Sequence, residues 1–189
     1  MAKSLLSEGI IKDDEIEIVR FGLESLEGNL LGIVLTLTVG FFFHRIGDAV
    51  FVWMLLFPLR KNAGGFHAST PIRCFLISAL MLSLSFIFFT AFDCTAILYG
   101  ASVVITGVII WVLVPVGNPS KKLDEAERKI YRIRSRGVLI SEGIGFLLGI
   151  CFEWGMLVRS ITIVFFMVSI SLLMGKIKLL IYDKNDGLG

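Results

Sequence analysis

Two long runs of the chain carry no charge at all: residues 75–92, 18 in a row, and residues 95–116, 22 in a row. A helix needs roughly 20 apolar residues to cross the hydrocarbon core of a bilayer. Only Asp93 and Cys94 separate the two runs, which predicts a tight antiparallel helical pair. Two further spans are expected at 138–158, apolar apart from Glu142 and Glu153, and at 160–181, apolar apart from Lys176 and Lys178, with Arg159 at the turn between them. Composition agrees: 56% of the 189 residues are hydrophobic and 18% charged, against ~45–50% and ~25% in soluble domains. These values exclude a soluble globule and a disordered chain. Three cysteines do not make a disulfide framework, and a net charge of +2 gives no nucleic-acid footprint.

Residues 30–59 would measure ~45 Å as one helix, more than the ~30 Å core. His44, Arg45, Gly47 and Asp48 sit at the middle. The reading is a membrane hairpin, with arms 30–43 and 49–59 meeting near residues 45–48; one long tilted helix is the alternative. In residues 1–28 seven acids outnumber three bases, and Ile16, Val19, Leu23, Leu26 and Leu30 recur at helical spacing. This is an amphipathic helix rather than a signal peptide. Lys and Arg fix orientation. With 30–59 as a hairpin, 16 of the 18 basic residues fall on one side, expected to be cytoplasmic, and only Arg45 and Arg159 fall outside. The expected architecture is an all-α, polytopic integral membrane bundle of one domain. It has about six membrane segments: four full spans plus the hairpin. In order these are a helix at 1–28, the hairpin at 30–59, a cytoplasmic segment at 60–74, a helical pair at 75–116, a basic loop at 117–137, a second pair at 138–181 and a tail at 182–189.

Chemistry concentrates in the segment 60–74. It holds Arg60, the pair Gly64–Gly65, His67, Pro71, Arg73 and Cys74. A cysteine and a histidine are the minimum for a thiol nucleophile and its base. On one unbroken helix, seven residues would hold them ~10 Å apart along the axis. Pro71 resolves this, because Thr70 as N-cap and Pro71 as first residue start a helix there. Cys74 then stands in the first turn, where the helix N-terminus and Arg73 favour the thiolate. The glycine pair lets His67 fold back towards it, with Asn62 or a distant carboxylate free to orient the imidazole.

These residues resemble a known signature. Arg60, Ala63-Gly64-Gly65, His67 and Cys74 are similar to the Arg-x-x-Ala-Gly-Gly-x-His-x₆-Cys pattern of the accessory gene regulator protein B (AgrB) family. Residues 115–122, Pro-Val-Gly-Asn-Pro-Ser-Lys-Lys, resemble that family's span end, and the charged stretch 124–136 follows as it does there. The resemblance covers most of the chain. It implies a multi-pass cysteine endopeptidase of the bacterial plasma membrane, acting in quorum sensing, with its site on the cytoplasmic side. The family's substrate is a small AgrD precursor peptide. Its acidic tail is removed through an acyl-enzyme thioester, and an internal Cys or Ser then closes a thiolactone or lactone. By resemblance Cys74 is the nucleophile and His67 the general base. Arg60, Gly64, Gly65, Arg73, Lys121 and Lys122 are expected to support the site or hold substrate. For Lys121 and Lys122, topology and lipid headgroups are the competing reading, and for Arg60 it is snorkelling.

Other residues carry less. Glu142, within a span, is a functional acid or a helix–helix hydrogen-bond partner. Asp48 and Glu153 are placed near the outer interface without a role, and His44 across the bilayer from Cys74. Cys94 and Cys151 read as small packing residues, with an outer disulfide conceivable. Gly143, Gly145, Gly149 and Gly155 mark close helix contact, within the chain or across a homodimer. No cofactor or metal is expected, since two distant His cannot build a site. Membrane lipid and the precursor are the expected partners, with no nucleic acid. The competing functions are a peptide exporter and a non-catalytic membrane scaffold of a peptide-signalling system.

Overall fold

The computed structural model describes residues 16–66, 71–91, 95–117 and 124–186. Its elements are α1 (Ile16–Phe42), α2 (Ile46–Ala63), α3 (Pro71–Phe86) continued by a π-helical turn (Ile87–Ala91), α4 (Ala96–Leu113), α5 (Glu125–Cys151) and α6 (Gly155–Asp186). Among the described residues, three helical stretches are long and apolar enough to cross a membrane: Ile72–Phe89, Ala96–Leu113 and Gly155–Tyr182. A shorter apolar stretch is Leu26–Phe42. The fold is thus an all-helical polytopic membrane bundle. Its surface is correspondingly apolar, with Ile97, Val104, Ile105, Val108 and Val112 of α4 all exposed. In lipid such a face needs no partner, because every backbone polar group is already bonded within the helix.

α6 is the axis of the bundle. Ile161, Ile163, Val164, Val168 and Leu172 are fully or almost fully buried, and α2, α3, α4 and α5 pack on this helix, while α1 lies on α2 and α3. Two polar pairs fix how α2 lies on α6. Asp48 meets Arg159 at one end, and Arg60 meets Ser171 at the other; each pair is 111 residues apart in sequence. The two helices therefore run parallel and in register for ~18 Å. Glycine contacts orient the rest: Gly107 of α4 sits 3.5 Å from Phe165, and Gly145 of α5 sits 3.5 Å from Ile161, both measured from where a Cβ would stand. The six helices alternate in direction, so both ends of the described chain lie on one face.

Several boundaries differ from expectation, each for a physical reason. α1 runs unbroken from residue 16, so the amphipathic stretch and the first hairpin arm are one helix. The hairpin itself is present, which excludes one long tilted helix, but it turns at residues 43–45. His44 takes a left-handed conformation (φ 53°), its N–H bonds the Phe41 carbonyl, and Arg45 N–H bonds the Gly40 carbonyl at 2.7 Å. This is a Schellman stop, and it needs no help from Gly47. Gly40 then lets Ala49 pack directly against α1. The second arm continues past residue 59 to Ala63, which places Arg60 on a helix.

The turn before α6 repeats the device. Glu153 (φ 55°) is its left-handed residue, and Trp154 N–H bonds the Gly149 carbonyl at 2.7 Å. The turn therefore falls at 152–154 rather than at Arg159, and the apolar part of α5 is too short to qualify as a fourth full span. The expected basic loop is helical from Glu125, because Asp124 and Glu127 form a capping box. α3 and α4 are not a tight pair: α4 lies mainly on α6, while α3 lies on α1 and α6. α3 and α4 touch at their far end, where Tyr99 stacks on Phe89 and donates to its carbonyl at 3.0 Å.

Candidate active site

The site begins with how α2 ends. Gly64 and Gly65 adopt φ values of 73° and 127°, a region L side chains avoid. Space also demands glycine. A side chain at Gly64 would strike the Val116 carbonyl, and one at Gly65 would stand 2.7 Å from Ser171 Oγ. Gly175 on α6 faces the same strip, with the Gly65 carbonyl carbon at 2.9 Å and Phe66 N at 3.0 Å from its would-be Cβ. Through these gaps the chain is sewn to its neighbours. Val116 N–H donates to the Ala63 carbonyl at 3.0 Å, Gly65 N–H to the Val116 carbonyl at 3.4 Å, and Phe66 N–H to the Ser171 carbonyl at 3.0 Å. The glycine pair is thus a fixed close approach rather than a free hinge.

Arg60 completes the arrangement. One guanidinium nitrogen donates to Ser171 Oγ at 3.1 Å and another to the Phe66 carbonyl at 3.3 Å. Burial lowers its pKa from the ordinary value, and the neighbouring Cys74 sulfur acts in the opposite sense. These bonds make Arg60 an internal strut, more than a residue snorkelling to the headgroups. Lys61, one position on, is exposed, with its ammonium 5.8 Å from the Phe57 ring centroid.

α3 begins at Pro71, as the helix-start signals predict, and Cys74 stands in its first turn as a half-buried free thiol. It shares a small cavity with Arg60, Phe66, Ile77, Ser78, Met81, Ser171 and Met174. The volume is ≈ 10 Å³, room for about one water. Beside it, Phe66, Met174, Ile177, Lys178 and Ile181 line an open apolar hollow of ≈ 310 Å³, with the Lys178 ammonium 5.5 Å from the Phe66 ring centroid.

The structure therefore brings together Cys74, Arg60, Gly64 and Gly65. Arg73 is exposed and lies outside the cavity wall. His67, Thr70, Cys94, Lys121 and Lys122 lie outside the described residues. Asn62 turns its amide back to the Pro58 carbonyl at 2.8 Å and so belongs to its own helix. His44 stands at the opposite end of α2, ~27 Å along the axis. Cys151 is exposed rather than packed. Glu142 is buried, and neither of its oxygens has a hydrogen-bond partner among the described residues. Asp48 is buried too, held by Arg159 at 3.1 Å with Arg45 at 3.9 Å, so it is a structural anion between α2 and α6. Sequence reasoning missed Ser171. The usable signal was a pair of hydroxyls, Ser169 and Ser171, inside the otherwise apolar run 163–175.

A cysteine in the first turn of a membrane helix, sharing a cavity with a half-buried arginine and a glycine-built loop, defines a polytopic membrane protein with its candidate site at one end of the bundle. Comparison with known families makes this specific: the model for accessory gene regulator B, AgrB, matches residues 1–179, and the chain belongs to that family. The family acts in quorum sensing on an AgrD-type propeptide. No match was found among curated proteins or among solved structures.

Proposed function

We propose that this chain is a cysteine endopeptidase that removes the C-terminal tail of an AgrD-type propeptide and passes the new C-terminus to an internal nucleophile. Cys74 attacks the carbonyl carbon at the tail junction. The C–N bond breaks, His67 protonates the departing amine, and a thioester to Cys74 remains. His67 then takes the proton of the propeptide's internal Cys or Ser, which attacks the thioester carbonyl. The ring closes as the Cys74 thiolate is released.

The observation that carries this reading is the shared cavity. Phe66, the residue immediately before His67, lines the same small space as Cys74 and Arg60, although α2 and α3 are separate elements. The first-turn position offers backbone N–H groups for an oxyanion. A cavity of one-water size, walled by Phe66, Ile77, Met81 and Met174, keeps bulk water from the thioester, which hydrolysis would waste. A propeptide folded back on itself supplies the effective concentration for ring closure. The concentration of basic residues at this end of the bundle supports a cytoplasmic site, by the positive-inside rule. Lys121, Lys122 and the exposed Arg128, Lys129, Arg132 and Arg134 of α5 counter an acidic tail.

An exporter would need a polar path, and among the described residues most buried hydroxyls are spent within their own helices. Thr106, Thr162, Ser85 and Ser169 each donate to a carbonyl of their own helix. Cys74→Ala in proteoliposomes with a synthetic AgrD-type propeptide decides the matter. Tail removal is expected to stop; removal at the wild-type rate would end the peptidase reading.

A further inference from the structure

The residue before His67 is held by α6, a helix almost a hundred residues further along the chain. Phe66 N–H is shared between the Ser171 carbonyl at 3.0 Å and Ser171 Oγ at 3.2 Å. The Phe66 carbonyl takes a bond from Arg60 at 3.3 Å, and Arg60 also donates to Ser171 Oγ at 3.1 Å. One serine oxygen therefore accepts from both the guanidinium and the loop amide, closing a ring of three residues. Ser171 is only 3% exposed, and it lines the same cavity as Cys74. Gly175, one turn on, removes the side chain that would push this loop away.

We propose that Ser171 is a positioning residue: its hydroxyl, with Arg60, fixes Phe66, the residue that leads into His67, at the wall of the Cys74 cavity. The proposal rests on the peptidase reading above. Without Oγ, Phe66 N–H keeps the backbone carbonyl of residue 171, so the helix and the loop persist. Arg60 loses its acceptor on α6, however, and the Phe66 carbonyl loses its fixed donor. The effect falls on the reacting geometry more than on the fold, and small misplacements of a base are costly to rate.

The test uses the full chain in detergent micelles and reads iodoacetamide labelling of Cys74 by peptide-resolved mass spectrometry as a function of pH. Ser171→Ala should slow labelling near neutral pH about tenfold, as expected when a thiol loses a favourable neighbour. The kcat for tail removal from a synthetic AgrD-type propeptide should fall in step, with KM within about twofold. His67→Ala should show the same slowing of labelling, and the double variant should add nothing further, because both changes cut one coupling. Wild-type labelling and kcat in Ser171→Ala, or full additivity with His67→Ala, would overturn the proposal. If Ser171→Ala does not fold, Gly175→Ala displaces the same loop while keeping the hydroxyl. A loss there that is absent or fully additive overturns it equally. Cys74→Ala separates the two readings. Tail removal that survives it removes both; tail removal that it abolishes, with Ser171→Ala at wild-type rate, removes only the positioning role.

Discussion

At the scale of single residues, the site depends on where side chains are missing as much as on where they act. Gly65 combines φ 127° with a contact of 2.7 Å between its would-be Cβ and Ser171 Oγ. Gly65→Ala should therefore cost about 1–3 kcal/mol of stability from the strained backbone and reduce tail removal sharply. Gly100, with nothing within 4 Å, is the control. Gly100→Ala should be neutral or stabilising by up to ~1 kcal/mol. Thermal unfolding in micelles beside propeptide cleavage checks both, and equal behaviour of the two variants would refute the close-approach account. The glycine pair was legible because two adjacent glycines free the backbone for conformations other residues avoid. Its role was misjudged, since flexibility and close approach both call for glycine, and only the neighbour distinguishes them. That neighbour, Ser171, is 105 residues from Phe66, and no local pattern connects the two.

At the scale of elements, long apolar runs revealed the spans because the bilayer imposes their length, and Pro71 marked the start of α3 because proline suits a first helical turn. The stops were harder to read. His44 and Glu153 occupy left-handed positions usually given to glycine, so neither α1 nor α5 announces its end. The same two turns sit at the Asp48–Arg159 end of the bundle. There Arg159 grips both carboxylate oxygens, at 3.2 and 3.4 Å from Nε and Nη2, and Ser160 Oγ donates to the Asp48 carbonyl at 3.3 Å. The Asp48 side chain is 4% exposed and that of Arg159 22%. Asp48→Ala strands the arginine and should cost about 3 kcal/mol, the low end for a buried pair because Arg159 keeps some solvent. Replacing both partners, Asp48→Leu with Arg159→Met, should recover most of that loss. Tail removal per folded molecule should stay near wild type in the double variant, since the pair lies ~18 Å from Arg60. If the double variant is no more stable than Asp48→Ala, the pair is not what joins α2 to α6 at this end.

At the scale of the whole molecule, charge placement and helix direction reach the same topology independently. Basic residues gather at the end of the bundle that holds Cys74, and the alternating helices bring both ends of the described chain there. α5 adds something composition does not reveal. Arg136 stacks on Trp111 with its guanidinium carbon 4.4 Å from the ring centroid and donates to the Trp111 carbonyl at 3.2 Å, so these two residues are level. α4 stops at Leu113, yet α5 begins at Glu125. Its first eleven residues therefore project ~16 Å past that level, carrying exposed Arg128, Lys129, Arg132 and Arg134 on the Cys74 side. Val116, which leads towards this arm, is the residue bonded to Ala63 and Gly65, so the basic arm and the site share an anchor. A projecting cationic helix at the Cys74 end of the bundle should act on substrate binding through long-range attraction. Arg128→Glu with Arg132→Glu should raise KM about tenfold for a propeptide with an acidic tail and leave KM for a neutral-tailed version nearly unchanged. The difference should shrink as ionic strength rises and the Debye length shortens to ~8 Å or less. Charge reversal at Lys121 and Lys122 should act in the same direction if that segment joins the arm in holding the tail. Equal increases for both propeptides, insensitive to salt, would instead assign the arm to membrane orientation, because topology affects every substrate alike.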